Sequence, residues 1–86
     1  MEDTQFGPQG LLAGFLVATL LSQEDQPIHR GVLLDGAPTG RSTFEQIPVA
    51  EGTYSVSLVG TSDYYPSTVV VSIKGGSNYR ANFHQR

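Results

Sequence analysis

The chain has 86 residues with no cysteine and no tryptophan, which makes it one domain whose small core must hold without disulfides. Eight acidic residues against five basic ones leave a net charge of −3, so the basic face that nucleic acid requires is missing and no nucleic-acid partner is expected. Charged residues make up 15%, well below the roughly 25% of an average soluble domain, which fits either a neutral solvated surface or one partly covered by neighbours.

Residues 1–10 are polar and carry Gly7, Pro8 and Gly10, reading as an extended N-terminal arm ahead of a single β-sandwich domain over 11–86. The acidic start, Met1-Glu2-Asp3, lacks the basic region of a secretory signal. The apolar run Gly10–Leu21 is shorter than the roughly twenty residues needed to span a bilayer, so no membrane span is expected. Within it, LLAGFLVATLL is ambiguous. Leu and Ala favour helix, although Gly14 would cost about 1 kcal/mol there relative to Ala, while Phe15, Val17 and Thr19 favour strand. A strand buried on both faces suits a chain whose other segments are all β. An amphipathic helix meeting a membrane or a partner is the alternative.

Ile28–Asp35 reads as the next strand, Gly36–Gly40 as a turn, and Arg41–Ile47 as a short strand with Phe44 pointing inward. Pro48 and Gly52 mark a further turn. From Thr53 the residues alternate strictly, Tyr54, Val56 and Leu58 on one side and Thr53, Ser55 and Ser57 on the other, the signature of a half-buried strand. Gly60–Asp63 turns the chain, and Ser67–Lys74 alternates again. Gly75-Gly76-Ser77 predicts a tight hairpin. Asn78–His84 closes the sheet, with Tyr79, Ala81 and Phe83 on one face and Asn78, Arg80, Asn82 and His84 on the other.

Six or seven short strands with Gly, Pro, Asn and Asp punctuation make an all-β domain, a small antiparallel β-sandwich or partly open barrel. Its expected core is Leu12, Phe15, Val17, Val32, Leu34, Phe44, Ile47, Tyr54, Val56, Leu58, Val69, Val71, Ile73, Tyr79 and Phe83.

Leu34-Asp35-Gly36, Gly40-Arg41-Ser42-Thr43-Phe44 and Ile47-Pro48 through Gly52-Thr53-Tyr54-Ser55-Val56 together resemble the PEGA and carboxypeptidase regulatory-like domains. Asp63-Tyr64-Tyr65-Pro66 stands where that family has its "GYxp" turn, with Asp63 in place of the glycine. Val49-Ala50-Glu51 lengthens the spacing between Pro48 and Gly52. The resemblance covers about residues 28–84. It implies a transthyretin-like (Ig-like) sandwich acting as an accessory, stalk or binding module, and it brings no catalytic residues with it.

None of the motifs for phosphate loops, dinucleotide binding, zinc proteases or serine hydrolases occurs. His29 and His84 are far apart in sequence and too few for a zinc site. Glu24-Asp25 lie in a polar loop and read as a solvated turn. No enzyme activity, metal or cofactor is therefore expected. The expectation is a structural or interaction subunit of a larger assembly, of virion, appendage or surface-decoration type, at an extracellular surface or in a virion in preference to the cytoplasm. It would form a homo-oligomer or dock on neighbouring subunits. The candidate interaction residues are Phe6, Leu12, Phe15, Tyr64 and Tyr65. The alternative is a carbohydrate- or peptide-binding accessory module, in which exposed Tyr64 and Tyr65 supply apolar faces with polar tips.

Overall fold

The computed structural model describes residues 14–86. Eight strands follow in order: β1 Gly14–Leu21, β2 Gly31–Leu34, β3 Ala37–Ser42, β4 Ile47–Val49, β5 Gly52–Leu58, β6 Tyr64–Tyr65, β7 Val69–Ile73 and β8 Ser77–Gln85. They form two four-stranded sheets, β4-β1-β8-β6 and β3-β2-β5-β7, packed as a small β-sandwich. All strand pairs are antiparallel except one: β1 and β8 run parallel, from Gly14 opposite Ser77 to Leu21 opposite His84.

β5 follows its sequence alternation: Tyr54, Val56 and Leu58 are buried. Opposite them the inner face of the other sheet supplies Leu16, Ala18 and Leu20 from β1 and Ala81 and Phe83 from β8. The parity of β1 is therefore the reverse of the expected one. Phe15, expected in the core, is 37% exposed, and Val17 is half-buried on the same outer side. Nor is β1 buried on both faces. A continuous apolar run has no period, so its parity is set by packing against the other sheet, which takes Leu16, Ala18 and Leu20 inward. Leu12 lies outside the described residues.

The first hairpin is tighter than the composition of 36–40 suggests. Asp35 and Gly36 alone make the turn, at φ 52 and φ 84, the positive values of a two-residue type I′ loop. β3 starts at once. Asp35 is pinned to β5: its N–H donates to Ser55 O at 2.8 Å, and its Oδ1 accepts the Ser55 N–H at 2.8 Å. Gly40, at φ 78, sits in a bulge where the β2–β3 register shifts between Gly31 and Leu33.

The predicted strand Arg41–Ile47 is broken in the middle. Thr43–Gln46 is a turn in which Thr43 is fully buried; its Oγ1 donates to Ile28 O at 2.6 Å and accepts the Arg30 N–H at 3.2 Å. With Thr43 taking the inward place, Phe44 turns outward at φ 69 and is 38% exposed, so it is not a core residue. Gly75-Gly76 also departs from expectation. It carries the chain from β7 in one sheet to β8 in the other, so it is a crossing between layers and no hairpin.

Candidate functional site

The outer face of the β4-β1-β8-β6 sheet carries the most distinctive surface among the described residues. Because β1 and β8 run parallel in register, two columns of outward side chains stand side by side. Phe15 pairs with Asn78, Val17 with Arg80, Thr19 with Asn82 and Leu21 with His84. One column is mostly apolar and the other wholly polar. The Thr43–Gln46 turn contributes Phe44 and Gln46 along this face, and Tyr65-Pro66 stand beside it, next to β8.

Two hollows share this face. One of about 510 Å³ is lined by Thr19, Leu21, Phe44, Tyr65, Pro66, Arg80, Asn82, Phe83 and His84. The other, of about 310 Å³, is lined by Phe15, Val17, Gln46, Asn78, Tyr79 and Arg80. Arg80 lines both, so the hollows adjoin along β8.

Local geometry fixes several of these groups. The Phe44 N–H donates to Ala18 O at 2.8 Å, tying the turn to β1, and its ring meets His29 edge-on at 5.6 Å. Thr19 is buried and donates its hydroxyl to Asn82 Oδ1 at 2.8 Å. That bond occupies the carbonyl end of Asn82 and leaves its amide donors for the groove. The Tyr65 ring lies 5.8 Å from His84, with the Arg86 guanidinium 5.7 Å from its centroid. His84 Nε2 is 3.3 Å from Asp25 Oδ1. Arg30 engages Asp63 at 3.3 Å and Arg41 donates to Gln46 O at 2.8 Å. Arg80 and Arg86 thus bring two of the chain's five basic residues to this face of an acidic protein.

Of the five candidate interaction residues, the structure brings Phe15 and Tyr65 to one face. Phe6 and Leu12 lie outside the described residues. Tyr64 is a correction: it is fully buried, packed edge-on against Phe83 with ring centroids 5.3 Å apart. Its oxygen accepts the Leu58 N–H at 2.6 Å, and its hydroxyl donates to Leu58 O. A tyrosine tied to backbone a few residues upstream is a recurring corner device of β-sandwiches, and it removes Tyr64 from any binding role. Tyr65, the next residue, is 47% exposed.

Comparison with known proteins finds no matching family model, curated relative or solved structure.

Phe44, Arg80 and Asn82 were missed as site residues. The alternation of 78–84 already places Asn78, Arg80, Asn82 and His84 on one side. Nothing local announces that the apolar column of β1 stands next to them. Among the described residues no three His, Asp or Glu side chains are placed to hold a metal ion, and no helix is long and apolar enough to cross a membrane.

Proposed function

We propose that this chain is a non-enzymatic interaction subunit of a larger assembly, docking on a neighbouring protein through the outer face of the β4-β1-β8-β6 sheet. The observation that carries the reading is the paired column arrangement. Phe15, Phe44 and Tyr65 present half-exposed rings around Arg80, which lines both hollows. Aromatic anchors with a central arginine are the residue types that dominate protein interfaces. The partner chemistry that fits is an apolar protein surface bearing carboxylate or carbonyl acceptors for Arg80. The resemblance of residues 28–84 to accessory sandwich domains points the same way.

A photo-reactive residue at position 15 or 65 tests this, with position 57 on the other sheet as control. In the native assembly, positions 15 and 65 should crosslink to the same neighbouring polypeptide, and Arg80→Glu should abolish both crosslinks. Equal labelling from position 57 would overturn the reading.

One feature favours a second reading, carbohydrate or peptide binding. Tyr65 offers a half-exposed ring beside the amide donors of Asn82 and the guanidinium of Arg80, the combination of apolar platform and polar rim on which sugars stack. A glycan array separates the two: sugar binding lost in Tyr65→Ala favours the second reading, whereas no glycan binding together with the crosslinks favours the first.

A further inference from the structure

The outer strands of the two sheets are treated very differently. β4 is three residues long with Pro48 in its middle. β6 has only two residues and is followed at once by Pro66. β3 contains Pro38, Gly40 and Arg41 and is bulged against its neighbour. The part of β8 that β6 leaves uncovered carries Arg80. Proline, shortness, bulges and charge are the devices that stop a sheet edge from pairing with another chain.

β7 has none of them. Val69-Val70-Val71-Ser72-Ile73 is five residues of mostly β-branched side chains without proline, glycine or charge. Among the described residues it pairs with β5 alone, on one side. Val70 points outward and is 66% exposed, the highest value among the large hydrophobics of the described residues.

We infer that the β7 edge is a self-association site, at which two copies of this chain pair β7 with β7 antiparallel and join their β3-β2-β5-β7 sheets into one. The occupant follows from self-complementarity. A two-fold axis at Val71 sets Val71 opposite itself and Val69 opposite Ile73 of the second copy. The inward-facing positions of both edges then extend one apolar face, as an in-register sheet requires. On the outer side Val70 meets Ser72 of the second copy, with no charge opposed. The nearest charge, Lys74, lies one residue past the strand. In this register its two copies stand about 20 Å apart at ~3.4 Å per residue, beyond the reach of unscreened repulsion at physiological salt. A five-residue ladder buries well under the roughly 1,200 Å² of a standard interface, so the dimer is a weak one. This does not depend on the sheet-face reading above, since β7 belongs to the other sheet.

The test uses the full chain in sedimentation equilibrium up to about 1 mM, with Val70→Lys as the variant. Val70 is exposed, so the variant should melt at the parent temperature. Its dimer should be weaker by about fivefold or more, because two lysines are brought into diagonal reach across the new ladder. Spin labels on Val70→Cys should read a short separation between copies, whereas labels on Glu24→Cys should not. Tyr65→Ala should dimerise like the parent, which keeps this edge separate from the aromatic face. A parent chain that stays monomeric throughout would overturn the proposal. So would a dimer that Val70→Lys leaves unchanged, or one whose labels at position 70 lie far apart.

Discussion

Two tyrosine hydroxyls, those of Tyr54 and Tyr64, close backbone groups at the ends of β5. Tyr64 serves Leu58 at its exit. Tyr54 serves the turn before its entry, donating to Ala50 O at 2.8 Å. Burial, and after it the Asp35 carboxylate, raises the pKa of Tyr54 above the ordinary tyrosine value. The folded state therefore holds this proton more tightly than the unfolded chain does. The stabilisation is complete below about pH 10, where both states are protonated, and is lost as pH climbs through the raised folded value. Tyr54→Phe should cost about 1–3 kcal/mol at neutral pH, by leaving a buried carbonyl unpaired. It should also flatten the fall of stability above about pH 10. Urea titrations of parent and variant at several alkaline pH values check both effects, and parallel slopes would remove Tyr54 from the alkaline transition.

At the scale of elements, strands with real alternation were legible and runs without it were not. Thr53–Leu58 and Asn78–Phe83 alternate between apolar and polar residues, and both fold with the face that alternation picks. In β1 every position from Phe15 to Leu21 except Thr19 is apolar, so either parity buries a hydrophobic row. The choice falls to tertiary packing, which sends Leu16, Ala18 and Leu20 inward. Phe44 was illegible for another reason. An aromatic residue rarely adopts positive φ, and nothing in the residues themselves says that Thr43, with two backbone partners waiting inside, displaces it. These parities make a sharp mutational contrast. Leu16→Ala should destabilise by about 2–5 kcal/mol through lost burial and a cavity. Phe15→Ser, one residue away, should cost less than Leu16→Ala, because its ring is already 37% exposed and its loss leaves no internal cavity. Denaturant midpoints of the two variants measure the difference. The reverse order would return β1 to the parity expected from its sequence.

The whole molecule is closed by a contact that no local pattern encodes. β1 and β8 are the two central strands of their sheet, and Thr19 and Asn82, hydrogen-bonded across them, are 63 residues apart. That pairing explains why β1 is not an edge strand open to strand addition: β8 occupies one side, and β4 with the Phe44 and Ile28 amides occupies the other. The sandwich was legible from strand count and punctuation. The parallel closure was not, since the same strands could be joined in several orders without changing any local propensity. Its consequence is cooperative. Neither β1 nor β8 can leave without stripping the other and exposing Leu16, Leu20 and Phe83, so the pair should open only when the whole domain unfolds. In native-state hydrogen exchange, the paired amides of β1 and β8 should share one opening free energy, equal to that of global unfolding. Amides of β3, short of buried side chains, should exchange through smaller openings. If the β1 amides opened more easily than those of β5, β1 would be a detachable strand laid against a sandwich that stands without it, and the stability of the fold would rest on the β3-β2-β5-β7 sheet.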